Sequence, residues 1–68
     1  MSTVTERVAA RIVEYRHKRG MTQETLAAKA RLHRISLITI ERARKQPTLD
    51  TLDRIARALG VTLADLVK

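Results

Sequence analysis

The stretch "ISLITI", Ile35 to Ile40, decides the fold of this chain. Ile35, Ile38, Thr39 and Ile40 are β-branched and Leu37 is apolar, so propensity by itself reads a strand. That strand would set Leu37 on the face opposite Ile38 and Ile40, would be flanked by arginines, and would find no second strand pattern to pair with. As a helix, it places Leu37 and Ile40 three residues apart on one face, within reach of Leu26, Ala27 and Leu32. Helix prevails over propensity, and it leaves more apolar residues than a core needs.

The flanking sequence supports this. From Val4 to Arg19 the residues Val4, Val8, Ile12 and Tyr15 recur at helical steps, and Gly20 after a basic last turn suits a left-handed helix end. Thr22 caps a second helix, "QETLAAKA", which buries Leu26, Ala27 and Ala30. Thr25 stands where a capping box would want Glu or Gln, so Glu24 alone complements the helix dipole. Beyond "ISLITI", Pro47 and the cap Thr48 open a helix with Asp50 in its first turn. Leu52, Ile55, Ala56 and Leu59 form its apolar stripe, and Gly60 ends it. Thr62 and Asp65 resemble a capping box for a short last helix carrying Leu63, Leu66 and Val67. Five helices fill the chain, so the expected fold is all-α, one domain over residues 1–68, without linker or internal repeat.

Composition narrows the function. Sixty-eight residues leave room for one layer of packing, and the absence of Cys removes disulfides and thiolate metal sites. Two His without an acidic cluster give no metal site, and nothing calls for a cofactor. The N-terminal "MSTVTERVAARIVEY" has no apolar core or cleavage site of a signal peptide, and no run is long enough to cross a bilayer, so the expected location is cytoplasmic. Fourteen Lys and Arg against seven Asp and Glu give a net charge of +7, which suits a polyanionic partner. The excess is concentrated at Lys29, Arg31, Arg34, Arg42, Arg44 and Lys45, with Glu41 the single acid among them. An enzyme is not expected: there is no Ser, His and acid set, no glycine-rich phosphate loop, and too little volume for a substrate pocket. One aromatic side chain, Tyr15, argues against recognition of single strands by base stacking.

Two short helices joined by a tight turn, the second with surplus contact residues and a basic loop after it, match a helix-turn-helix for the major groove. From about Arg11 to Val67 the chain resembles the Cro/phage-repressor (Xre-type) helix-turn-helix family through "RG-MTQETLA-KA-L", "IER", "P-TLDTL-RIA-ALGV" and "L-DLV". The resemblance implies a compact five-helix, lambda-repressor-like domain with motif helices at about 22–30 and 33–42. It also implies that Gln23 touches a phosphate, that Ala27 is the small residue where the motif helices cross, and that Glu41 pairs with Arg16. Two positions depart from the family pattern. Arg31 stands where the turn usually has Gly, at a cost of roughly 1–2 kcal/mol if left-handed, and is positioned to reach a phosphate. His33 replaces the usual Ser or Thr cap of the recognition helix and could contact DNA instead.

With Leu37 and Ile40 turned inward, Arg34, Ile35, Ile38, Thr39 and Arg42 form the outer face, which in this family meets the groove. Arg34 is the natural reader of guanine, Ile35 and Thr39 suit the thymine methyl, and Ile38 lies in the groove or at its rim. Gln23, Arg31, His33, Ser36, Arg42, Arg44 and Lys45 are the expected phosphate contacts, which set register without reading sequence. Two base-reading half-sites imply a homodimer on a palindromic operator, with Val61, Leu63, Ala64 and Val67 as the dimer surface by resemblance. The expected partner is therefore double-stranded DNA, with no membrane and no small-molecule substrate. Other readings stay open at this level. Ile35 and Ile38 could be extra core in a rotated helix, and Arg42, Arg44 and Lys45 a solvated loop. The chain could be an antitoxin-type autorepressor, or an interaction module that keeps the fold without binding DNA.

Overall fold

The computed structural model describes residues 3–68 and contains five helices and, among those residues, no strand. They are α1 (Val4–Lys18), α2 (Gln23–Ala30), α3 (Arg34–Glu41), α4 (Leu49–Leu59) and α5 (Leu63–Val67). "ISLITI" lies wholly within α3. Tertiary burial of Leu37 and Ile40 overrides the strand propensity of its β-branched residues. α2 packs on α3 and most heavily on α4, while α1 closes the other side against α3, α4 and α5.

Each helix starts on an extended residue. Thr22, Thr48 and Thr62 accept hydrogen bonds from the backbone N–H groups of Thr25, Thr51 and Asp65, as the sequence implies. A second full capping box, not anticipated above although the Thr3-x-x-Glu6 spacing carries its signature, starts α1: Thr3 accepts from the Glu6 N–H and the Glu6 carboxylate accepts from the Thr3 N–H. These backbone and hydroxyl hydrogen bonds hold the Glu6 carboxyl below its ordinary pKa, and those of Thr62 do the same for Asp65. His33 occupies the N-cap position of α3 with its side chain uncommitted, because an imidazole projects too far to reach back to the first turn as a hydroxyl does.

The first four helices also end alike. After each, a residue with φ between 56° and 72° donates to the carbonyl three back, and the next residue donates to the carbonyl five back. The left-handed residues are Gly20, Arg31, Ala43 and Gly60. Arg31 thus adopts the conformation its glycine-type position demands. Ala43 does so without any sequence signal.

The core is built from Val8, Ile12, Leu26, Ala27, Ala30, Leu37, Ile40, Leu52, Ile55, Ala56, Leu59 and Leu66. Each of the fully buried large side chains, Ile12, Leu26, Leu37, Ile55, Leu59 and Leu66, contributes about 1.5–3 kcal/mol relative to exposure. Val4, counted in the α1 stripe by its spacing, is exposed, and Ala9 is buried in its stead. Val4 stands at the rim of a groove between the start of α1 and the start of α4, which leaves it half-open to solvent. The Arg19 side chain donates to the Leu59 carbonyl at 3.0 Å, a cation satisfying the C-terminal end of α4. No helix among the described residues is long and apolar enough to cross a membrane.

Candidate nucleic-acid interface

The position of α3 is set from beneath by a buried polar cluster. Arg16 of α1 donates through Nε and Nη2 to the two carboxylate oxygens of Glu41, at 2.8 and 3.1 Å, and through Nη1 to the Met21 carbonyl at 3.0 Å. Gln23, the first residue of α2, donates its side-chain amide to Glu41 Oε1 at 2.9 Å. The Arg16 and Glu41 side chains retain 11% and 4% of their exposure, so the pair is almost fully desolvated. A bidentate guanidinium–carboxylate fork with further hydrogen bonds to the Met21 carbonyl and from Gln23 offsets that desolvation, whereas a single partner left alone would not. The cluster joins α1, the start of α2 and the end of α3 in one geometry. Gln23, assigned to a phosphate by resemblance, has its amide nitrogen committed inward; beside it Thr22, Glu24 and Arg34 line an open hollow at the start of α2.

On the outer side of α3, Arg34, Ile35, Ser36 and Arg42 are exposed, while Ile38 and Thr39 are half-buried. Ile35 keeps 77% of its exposure, which rules out the rotated helix in which it would be core. Ile38 lies at the boundary between the buried and the exposed side of α3. The Thr39 hydroxyl donates to the Ile35 carbonyl at 2.8 Å, so its proton is taken up by the helix and its oxygen is left as an acceptor. Ser36 lines a shallow hollow with Lys45, Gln46 and Thr48 at the junction of α3 and the following loop.

Arg31 and His33 are exposed in the turn before α3, and Arg42, Arg44 and Lys45 are exposed just after it. Among the described residues none of the cations Arg31, Arg34, Arg42, Arg44 and Lys45 is in a salt bridge; the surface pairs are Lys18 with Glu14, Arg57 with Asp53 and Lys68 with Asp65. The face that carries Ile35 is therefore bounded at both ends by unneutralised positive charge. No group of metal-binding side chains occurs among the described residues.

The four residues assigned to a dimer surface separate. Val61 and Leu63 are half-buried against the chain's own core, and Ala64 and Val67 are exposed. Val67 lies with Val4 and Leu49 around an apolar groove floored by Val8 and Leu52. Leu49 retains 73% of its exposure and had no signal in the sequence beyond its place next to the cap Thr48.

A helix-turn-helix family model matches residues 12–66. The chain is 45% identical over 60 residues to the immunity repressor protein of Bacillus phage phi105, a match that spans 88% of this chain and 42% of that protein. Among solved structures it is similar to a hypothetical transcription factor, NHTF, from Neisseria, with a TM-score of 0.94 and 29% identity over 97% of this chain and 76% of the other. It is also similar to the restriction-modification controller protein C.AhdI from Aeromonas hydrophila, with a TM-score of 0.88 and 29% identity over 91% and 94% of the two chains.

Proposed function

The chain belongs to the Xre-type helix-turn-helix family of transcriptional regulators, and from that premise we propose that it reads a palindromic double-stranded operator as a homodimer and represses from it. The observation that carries the reading is Ile35, exposed on a face whose two ends hold Arg34 and the unpaired Arg42, Arg44 and Lys45. An apolar side chain that no core explains fits a thymine methyl, and the cations around it fit the flanking phosphates.

In this reading Arg34 donates both arms of its guanidinium to a guanine edge. Thr39 acts as an acceptor while its proton stays on the Ile35 carbonyl, which favours the amino groups of cytosine or adenine. Ile38 fills the groove wall. Arg31, His33, Ser36, Arg42, Arg44 and Lys45 hold the backbone, and Gln23 orients Glu41 in addition to facing a phosphate. The Arg16–Glu41 pair acts as a positioning element, setting the angle at which α3 enters the groove.

A second copy docks through α5, with Ala64 and Val67 in contact and Val61 and Leu63 supporting them from within. Because Leu63 also packs on the core, Val67→Asp is the cleaner probe. It should halve the sedimenting mass with helicity unchanged, and an unaltered mass would remove this surface from consideration.

Selection of bound duplexes from a random pool at physiological salt, followed by Arg34→Ala on the enriched sequence, tests the central reading. An inverted repeat should emerge, and the variant should lose about 1–3 kcal/mol of affinity and relax its choice at one base position. If the folded protein enriches nothing and Arg34→Ala changes nothing, α3 is instead a docking face for another protein, with Ile35 at its centre.

A further inference from the structure

We propose that the hollow between the end of α2 and the middle of α4 is a binding site for a phosphate-type oxyanion, separate from the outer face of α3. It has a volume of about 200 Å³ and is lined by Lys29, Ala30, Arg31, Arg54, Arg57 and Ala58. Four cations thus surround a floor of two alanines, too short to fill the space between them.

The fold explains only some of these charges. Lys29 and Arg57 lie in the last turns of α2 and α4, where cations complement the helix dipole, but Arg54 is in the middle of α4. Arg57 is paired with Asp53 at 3.0 Å, whereas Lys29, Arg31 and Arg54 are in no salt bridge among the described residues. The Nε–H of Arg54 is buried and has no hydrogen-bond partner among them. Arg54 as a whole is half-buried, and its guanidinium keeps hydrogen-bonding capacity that no protein group among the described residues takes up. A guanidinium presents Nε–H and Nη–H as a parallel fork, which matches two oxygens of one phosphate, and a second and third cation nearby match the remaining charge.

Arg31 is shared between this hollow and the turn before α3, so it links the hollow to the helix-turn-helix. Two sources could present the same chemistry: a backbone phosphate of DNA flanking the half-site, or a free phosphate-bearing molecule. The first rests on the DNA-binding function above; the second does not.

The test uses the full chain in two arms. In the first, the Nε–H resonance of Arg54 is followed by NMR as inorganic phosphate replaces chloride at fixed ionic strength. A saturable shift that Arg31→Ala weakens identifies the site. In the second, affinity for the selected operator duplex is compared with and without about ten added base pairs, one helical turn, on each side. The longer duplex should steepen the dependence of log affinity on log salt by about 0.9 for each further phosphate that the protein neutralises, and Arg54→Gln should cancel that steepening. A response in the first arm alone assigns the site to a free phosphate compound, and one in the second alone assigns it to flanking DNA. No response in either arm, or a flank effect that survives Arg54→Gln, overturns the proposal. Should the random-pool selection enrich nothing, the DNA function fails and the phosphate arm still decides this one.

Discussion

α1 and α4 end on Gly20 and Gly60, whereas α2 and α3, the two helices of the motif, end on Arg31 and Ala43. All four ends have the same hydrogen bonds and nearly the same φ, so the geometry is common and only the residue differs. In the scaffold, the residue that adopts the left-handed form without strain is used. Around α3 a strained residue stands instead, and at Arg31 the proposed phosphate contact supplies a reason: a glycine could make the turn but would carry no charge. Nothing in the structure explains Ala43 in the same way. The motif gives up stability at its ends, and Arg16, Glu41 and Gln23 hold it from below.

That contrast is tested most severely at Glu41, the last residue of α3. Glu41→Ala leaves Arg16 charged and nearly desolvated, and should cost about 3–5 kcal/mol in denaturant unfolding. A loss below about 1 kcal/mol, the scale of an exposed pair, would mean that the motif is not held by this cluster. Gly60→Ala comes next. Nothing lies within 4 Å of the Cβ it would add, so only backbone strain is introduced, and the expected loss is about 1–2 kcal/mol. A larger loss would show that the α4–α5 junction depends on more than its φ.

Arg31→Gly separates the two kinds of helix end by moving two readouts in opposite directions. Relief of the left-handed strain, less the extra freedom glycine gives the unfolded chain, should raise stability by about 0.5–1 kcal/mol. At the same time the slope of operator affinity against salt should become shallower by about 1, one phosphate contact. Equal stability and equal slope would make Arg31 an accident of sequence rather than an exchange of stability for contact. The smallest effect concerns the caps. Glu6 and Asp65 have carboxyls below their ordinary pKa when folded, so their contribution is present above the unfolded-state value and is lost as pH falls through the folded one. Helicity of α1 and α5 should therefore decline at acid pH in circular dichroism, and Asp65→Asn should flatten the α5 part of that decline.

Five helices, the side-chain caps, the stripe that forms the core and the family were all legible in the order of residues, because these follow from spacing along one helix or from a residue next to its turn. The Arg16–Glu41 pair was legible too, through a resemblance rather than through its chemistry. What stayed open depends on how helices cross. Ile35 and Ile38 are the same residue on the same face, yet one stands in solvent and the other is half-covered, since only the neighbouring elements decide where α3 leaves the core. Gln23 turns inward because Glu41, eighteen residues later, is brought beside it. Leu49 is exposed and Arg54 shares a hollow with Lys29 for the same reason. Each depends on the relative placement of elements, and a one-dimensional pattern fixes the faces of helices but not what those faces meet.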